Sequence, residues 1–479
     1  MKTIIQFILD SQTITIDFQR DKYSPTTTVL QYLRSLSNHK GVKEGCGEGD
    51  CGACTVVLAQ KHHSEKRLIY QSYNSCLIFL PALHGKQLIV IENLAVSDKL
   101  HPIQQAIIDS NASQCGYCTS GVAMSLFALY KNINFPSQNE IEKYLAGNLC
   151  RCTGYKSIFE AARKSCVHNG IDHFSEKESF IFEKLTEIET QETIFLETER
   201  QKYFLLFTLS EVLKVKNEFQ NALICNGSTD LALKVTKKME FLPEIIDISQ
   251  VFELKKFSET ETEIHWGASL TVNDILTLSQ KHFPALSDIA KIFGSHQIRN
   301  RATLGGNVAA ASPIGDLLPF LFVSNAKIVL QSVNGERKMP IQEFICAYRK
   351  TQLLNNEIVT KIITPKLKND EIIKTYKVSK RQDVDISTVS VAIFLKRNNE
   401  NVISEIKICY GGMAAMPRNA TFVEKFLSNK KWERNNIEEA MLLIENEFSP
   451  ISDARAEKET RIIIAKNLLL KCWNETFTR

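Results

Sequence analysis

No apolar run in this chain approaches the roughly 18 residues that a membrane-spanning helix requires. An export signal is not expected either. Met1-Lys2 precedes the apolar stretch Ile4 to Leu9, but Asp10 ends that run after six residues, and Thr13 to Phe18 alternates like a strand, so a β-hairpin is expected instead. Charge of one sign is scarce: 58 Lys and Arg against 54 Asp and Glu leave a net charge of only +4. That gives no reason to expect a nucleic-acid or membrane partner. There is no internal repeat and no low-complexity tract, which sets repeat architectures aside. The dinucleotide fingerprint G-x-G-x-x-G occurs nowhere convincingly. What remains is an ordinary globular composition, 44% apolar and 23% charged, over 479 residues, enough for three or four domains.

Cysteine is not scarce. Thirteen cysteines without an export signal point to a reducing cytoplasm and to metal ligation rather than disulfides. Eight fall into two sets of four. Cys46, Cys51 and Cys54 read C-x4-C-x2-C, with Cys76 as a distant fourth thiolate, the spacing of a plant-type [2Fe–2S] site. The glycines of Gly45-Cys-Gly-Glu-Gly-Asp-Cys-Gly52 suit a loop that wraps an anionic cluster with backbone N–H groups. A structural zinc site is the alternative, although zinc sites more often use C-x2-C pairs. Cys115 and Cys118 form a C-x2-C pair, and Cys150 and Cys152 a C-x-C pair. Each pair precedes an expected helix, about 118–130 and about 156–167, so four thiolates would meet two positive dipole ends. Taken alone, this second set suits zinc equally well. Cys166, Cys225, Cys346, Cys409 and Cys472 show no spacing pattern and are expected to be small buried apolar residues.

Along the chain, residues 3–9 and 13–18 read as paired strands, Thr26 to Ser37 as a helix, and 55–59 and 87–91 as further strands, a β-grasp-like unit. From 97 to 168 the pattern is helical, with Pro102 at a helix start and a capping box at Ser137-Gln-Asn-Glu140. A Glu-rich segment, about 172–200, reads as a linker crossing the surface of its neighbours. Strands and helices then mix, with glycine-rich turns at 226–229 and 305–307. Strands at 389–395 and 403–410 precede two helical stretches.

These motifs resemble the iron–sulfur and flavin part of the xanthine dehydrogenase (molybdenum hydroxylase) family. Gly45 to Cys54, Gln114-Cys-Gly-Tyr-Cys-Thr-Ser-Gly121 and Gly147-Asn-Leu-Cys-Arg-Cys-Thr-Gly-Tyr155 are similar to its two cluster sites. Ser120 stands where many members have proline, which should alter only the helix entry. Asn226-Gly-Ser-Thr-Asp-Leu231 and the run from Arg299 to Asp316 are similar to its two FAD loops. On their chemistry alone, both are equally well ordinary turns. The resemblance implies an α+β multidomain chain. The parts are a β-grasp plant-type [2Fe–2S] ferredoxin domain (1–95), an all-α four-helix [2Fe–2S] domain (96–170) and a linker (171–200). An α+β FAD-binding domain of the PCMH/vanillyl-alcohol-oxidase type (201–368) and a small α+β C-terminal domain (369–479) follow.

By the same resemblance, FAD would be held by Asn226, Gly227, Ser228, Thr229, Asp230 and Leu231, and by Thr303, Gly305, Gly306, Asn307, Ser312 and Asp316. Phe293 would pack on the flavin ring, and Lys377 and Asp385 would lie on a flavin-adjacent strand and loop. Tyr348 and Arg349 would lie where NAD⁺ approaches. Gln114 would contact a molybdenum–molybdopterin cofactor held elsewhere. Since the family's large molybdenum domain needs several hundred more residues, that cofactor is expected on a large partner subunit, in a heterotetramer of two small and two large chains in the cytoplasm. The implied reaction is oxidation of hypoxanthine and xanthine to urate. Electrons would pass through two [2Fe–2S] clusters and FAD to NAD⁺. No catalytic residue for substrate oxidation is expected in this chain. Three alternatives stand beside this: an electron-transfer subunit of an aldehyde- or N-heterocycle-oxidising relative, a stand-alone NADH-dependent flavin and iron–sulfur reductase, and a non-catalytic scaffold.

Overall fold

The computed structural model describes residues 2–167 and 171–477. The chain ends at 1 and 479 and the division expected at residue 170 therefore lie outside the described residues. Two compact units are present. The first comprises the residues up to Val215 with Asn221–Val251 and Ser295–Ala302; the second comprises Lys216–Gln220, Phe252–Gly294 and the residues from Thr303 on.

The first unit opens with a five-stranded sheet in the order Gln12–Asp17, Ile4–Leu9, Gln87–Ile89, Thr55–Lys61, Leu68–Asn74. Its only parallel pairing is at the centre, between Ile4–Leu9 and Gln87–Ile89. The helix Val29–Ser35 buries Val29, Leu30, Tyr32 and Leu33, and a capping box between Thr28 and Gln31 fixes its start three residues later than Thr26. The β-grasp expectation holds, and Leu68–Asn74 is a strand that the sequence reading passed over.

Four helices follow: Pro102–Asp109, Thr119–Asn132, Gln138–Leu145 and Lys156–Ser165. Pro102 sits at the first position of its helix, and Ser137 and Glu140 form the expected capping box. Thr119–Asn132 is buried on every side from Gly121 to Tyr130, so it forms the centre of this bundle.

The segment 171–200 is more than a connector. It carries the helix Glu178–Ile188, which buries Ile181, Leu185 and Ile188 in the same core as the bundle, and the strand Ile194–Glu197. That strand pairs with Lys202–Leu205 at the edge of a sheet completed by Glu244–Asp247 and Leu223–Cys225. Its charge-rich composition concealed apolar residues at helical spacing, separated by exposed Glu183, Thr186 and Glu187.

In the second unit a five-stranded antiparallel sheet runs Phe257–Glu259, Glu263–Gly267, Ile358–Pro365, Lys327–Ser332, Gly335–Pro340. A four-stranded antiparallel sheet from Glu371–Val378 to Arg418–Asn419 follows, and the expected helical end resolves into three helices, Thr421–Leu427, Arg434–Glu447 and Lys458–Thr476. Cys166, Cys225, Cys409 and Cys472 are buried as expected, but Cys346 is exposed. It lies on the short hairpin strand Ile345–Ala347, where alternation turns the neighbours of buried Ile345 outward. Among the described residues no helix is long and apolar enough to cross a membrane.

One buried ionic cluster ties the 171–200 segment to the bundle. Asp172 lies 3.1 Å from His101 Nε2 and 3.0 Å from Lys131 Nζ, and the three side chains are 2, 1 and 5% exposed. His101 Nδ1 accepts from the Ile103 N–H as a helix cap, so its Nε2 carries the proton and donates to Asp172. Burial alone would raise the Asp172 carboxyl, but the His101 hydrogen bond and the Lys131 charge outweigh it and hold it below the usual carboxylate range. A depressed carboxyl contributes stability that is fully present above the unfolded value near ~4 and is lost as pH falls through the folded value. Asp172→Ala removes the carboxylate from buried His101 and Lys131, leaving Lys131 the Ser175 hydroxyl (2.6 Å) as a hydrogen-bond acceptor, and is expected to cost about 3–5 kcal/mol in urea unfolding at pH 7. The difference from the unsubstituted chain should shrink as the pH drops below about 4.

Candidate iron–sulfur and flavin sites

The loop between Gly45 and Cys54 folds back on its own sulfurs. Cys46 Sγ accepts backbone N–H groups from Glu48 (3.4 Å), Asp50 (3.3 Å) and Cys51 (3.4 Å). The Cys51 thiol and these donors pull Cys46 toward the thiolate, while hydrogen bonding to Cys46 and burial push Cys51 the other way. Cys54 and Cys76, both buried, bring their sulfurs to 3.4 Å. Glycine is required at two points of this loop. Gly49 (φ +85°) would drive a Cβ to 2.6 Å from Leu77, and Gly52 (φ +70°) would drive one to 2.2 Å from the Gly147 carbonyl.

The second set gathers at the expected helix starts. Cys118 is the residue that caps Thr119–Asn132 and lies against Cys150, while Cys115 lies against Cys152. The Cys150 N–H donates to the Tyr155 hydroxyl (2.9 Å), and Cys150 Sγ is 3.1 Å from Thr153 Oγ1. Ser120 stands in the first helical turn, its hydroxyl buried without a hydrogen-bond partner among the described residues, and the helix starts at Thr119 without a side-chain cap. Cys115, Cys152 and Gln114 are exposed.

Among the described residues no three or more His, Cys, Asp or Glu side chains converge as holders of a single metal ion. Each set is two pairs: Cys46 with Cys51 and Cys54 with Cys76; Cys118 with Cys150 and Cys115 with Cys152. One tetrahedral zinc needs four ligands about one point. Two irons with two thiolates each need two neighbouring pairs. The donor set and the N–H cradle at Cys46 therefore fit [2Fe–2S] groups.

The candidate flavin residues divide between the units. In the first, Asn226 to Asp230 turn from the strand Leu223–Cys225 into the helix Leu231–Thr236, with Ser228 at φ +60°. The Ser228 hydroxyl donates to the carbonyl of Leu77, the neighbour of Cys76. Arg301 donates to the carbonyls of Gly227 (3.1 Å) and Asn226 (3.4 Å).

In the second unit, residues 305–307 are not a turn, as expected, but the first turn of the helix Leu304–Ala310. Thr303 caps that helix, accepting from the Gly306 N–H at 3.2 Å. Glycine at 305 reflects close packing rather than turn geometry, since a Cβ there would lie 2.6 Å from the Ala268 Cβ. Asn307 Oδ1 is buried with no hydrogen-bond partner among the described residues. An orphaned acceptor beside a capped helix start fits a polar ligand group such as part of FAD. Ser312 accepts from the Ile314 N–H in the following loop (3.4 Å).

Lys377 lies on the strand Glu371–Val378. Its side chain is 1% exposed, and its ammonium pairs with Asp316 (2.8 Å) and donates to the Ile292 carbonyl (3.0 Å). Asp385 instead pairs with Arg381, whose backbone N–H (2.9 Å) and Nε (2.8 Å) both reach it. The Val384 N–H donates to the Gly294 carbonyl, so the 379–386 loop is tied beside half-buried Phe293. Tyr348 and Arg349 form the exposed tip of the hairpin Ile345–Ala347 to Lys350–Thr351, with Arg349 at φ +50°. Asn148, quoted within the second cysteine motif without a role of its own, and Gln297, which the sequence reading missed, are buried polar residues that link the cysteine loops. No spacing pattern marks either.

Family models match four consecutive parts of the chain: a 2Fe-2S iron-sulfur cluster binding domain over 9–80, a [2Fe-2S] binding domain over 90–163, the FAD binding domain in molybdopterin dehydrogenase over 198–367, and the CO dehydrogenase flavoprotein C-terminal domain over 374–476. The chain belongs to the molybdenum hydroxylase family, as its iron–sulfur and flavin-binding part. Its relatives include the xanthine dehydrogenase of Emericella nidulans, 30% identical over 93% of this chain, and the xanthine dehydrogenase/oxidase of Gallus gallus, 31% identical over 88%. The chain spans 36% of the length of each of these relatives. Among solved structures, the carbon monoxide dehydrogenase of Hydrogenophaga pseudoflava (TM-score 0.54, 22% identity, 58% of this chain and 96% of that one) shares the fold. So does the quinoline 2-oxidoreductase of Pseudomonas putida 86 (TM-score 0.54, 20% identity, 58% and 98%).

For a molybdenum hydroxylase iron–sulfur loop, the Gly52–Gly147 contact makes a direct test. Gly52→Ala is expected to displace the first cysteine loop, lowering iron from about four to about two per chain. Iron and acid-labile sulfide analysis would measure the loss; full iron content would contradict the reading.

Proposed function

We propose that this chain is the electron-transferring subunit of a xanthine dehydrogenase. Hypoxanthine and xanthine would be oxidised to urate at a molybdenum–molybdopterin cofactor on a large partner subunit, in a cytoplasmic heterotetramer of two small and two large chains. Electrons would enter at Cys115, Cys118, Cys150 and Cys152, pass to Cys46, Cys51, Cys54 and Cys76, and leave through FAD to NAD⁺. The clusters supply one-electron carriage, and the flavin converts it to a two-electron hydride step.

The supporting observation is the order of contacts within the first unit. The Leu149 N–H, next to Cys150, donates to the Cys51 carbonyl at 3.0 Å. The Ser228 hydroxyl, in the first candidate FAD loop, donates to the carbonyl next to Cys76. Second site, first site and first candidate FAD loop thus follow one another through direct hydrogen bonds. Burial runs in the same direction. Cys115 and Cys152 are exposed, as an entry facing a partner requires, while Cys54 and Cys76 are buried. Gln114 lies exposed beside the entry, the exposed tip Tyr348-Arg349 suits approach of a nicotinamide nucleotide, and the twin chain-held sites need no catalytic residue for substrate oxidation here.

Purification of the complex from its native host tests this. The expected preparation holds about four iron per FAD and forms NADH on addition of xanthine or hypoxanthine, while this chain alone does not oxidise either purine. Turnover of aldehydes or N-heterocycles but not purines would move the assignment to another molybdenum hydroxylase. A single chain with full NADH-dependent turnover and no partner would overturn the subunit reading.

A further inference from the structure

The segment Ser295–Ala302 runs across the meeting point of the two cysteine loops and on to the first candidate FAD loop. Gln297 is 1% exposed. Its Nε2 donates to Ser125 Oγ (3.0 Å) and Asn148 Oδ1 (3.0 Å), and stands 3.5 Å from Thr55 Oγ1. Thr55 directly follows Cys54, and Asn148 lies two residues before Cys150. Asn148 Nδ2 in turn donates to the Gly52 carbonyl (3.1 Å), as does the Thr55 hydroxyl (2.6 Å). One buried amide therefore grips both loops at once. Four residues on, Arg301 holds the carbonyls of Asn226 and Gly227.

Packing alone does not account for a glutamine here. Gln297 Oε1 is buried with no hydrogen-bond partner among the described residues, and burying such a carbonyl is unfavourable. Gly147 has no side chain where a Cβ would come within 2.2 Å of that oxygen. An apolar residue of similar volume would fill the space without this penalty. What it could not do is fix the relative register of two loops, since dispersion contacts are non-directional and hydrogen bonds are not.

We propose that Gln297 is a positioning residue for electron transfer between the two iron–sulfur sites. It holds the cysteine loops in the register in which the Leu149 N–H meets the Cys51 carbonyl. The proposal rests on the reading of the eight cysteines as cluster ligands. Among the described residues Gln297 hydrogen-bonds to none of these cysteines and acts through Asn148 and Thr55.

The test compares the purified full-length protein with Gln297→Met, which keeps the volume and removes the donors, and with the milder Thr55→Val. Iron and sulfide content and thermal unfolding are measured first. Electron paramagnetic resonance of the fully reduced protein and redox titration of each cluster follow. The expected result is full cluster content and an unchanged or higher Tm in Gln297→Met, with the spin–spin splitting between the clusters reduced and broadened and the separation of their midpoints changed. Thr55→Val should show the same change more weakly. Splitting and midpoints identical to the unsubstituted protein would overturn the proposal. So would loss of a cluster in Gln297→Met with Thr55→Val unchanged, because that is a purely structural role. If the unsubstituted protein itself lacked two distinguishable [2Fe–2S] signals, the reading of the cysteines would fall, and this inference with it.

Discussion

The close approach of two backbones organises the first unit. At Cys51 and Gly52 the first cysteine loop lies directly on Leu149 and Gly147 of the second, joined by the Leu149 N–H to Cys51 carbonyl bond. Side chains are excluded from this contact at two glycines. A Cβ on Gly52 would lie 2.2 Å from the Gly147 carbonyl, and one on Gly121 would lie 2.1 Å from the Gly52 carbonyl. Gly121 belongs to the central bundle helix Thr119–Asn132, so the β-grasp sheet and the four-helix bundle meet where their cysteines are. Carriers that exchange electrons must be near one another. Here the nearness is built from glycine and backbone hydrogen bonds, which leave little freedom to drift.

The two sites differ in the factors that set a cluster's potential, namely hydrogen bonds to sulfur and exposure. At the first site three backbone N–H groups converge on Cys46, and Cys54 and Cys76 are withdrawn from solvent. At the second, Cys115 and Cys152 face solvent, and Cys150 Sγ lies 3.1 Å from the Thr153 hydroxyl while its own N–H donates to the Tyr155 hydroxyl. Hydrogen bonds favour the more negative reduced state, whereas burial disfavours it. Both factors are unequal between the sites, so two clusters bound there would be electrochemically distinct.

Much of this was legible because the decisive signals are local. Cysteine spacing, the Ser137–Glu140 capping box and the Pro102 helix start each report on residues a few positions apart. The Glu-rich 171–200 segment was misread because composition was weighed above period: Ile181, Leu185 and Ile188 form a buried stripe among surface charges. Residues 305–307 were misread because paired glycines suggest a turn, whereas Thr303 caps a helix through them. Gln297 and Asn148 were invisible for a different reason. Their side-chain partners are 149 to 242 residues and 23 to 149 residues away respectively, and no local pattern encodes such contacts.

The second unit separates two kinds of residue that the family motif places together. Asp316 accepts from Lys377 through one oxygen and from Ser387 through the other, and Lys377 also donates to the Ile292 carbonyl. Both charges are thus occupied with each other, and the ion pair fixes the backbone leading to Phe293 rather than presenting a free charge. A buried ion pair is weak evidence for stability but strong in geometry, because its partners must stay aligned. Asn307, by contrast, keeps a buried acceptor unengaged among the described residues. The motif residues therefore divide by what they contact: Lys377 and Asp316 hold each other and the backbone beside Phe293, whereas Asn307 has an acceptor left over.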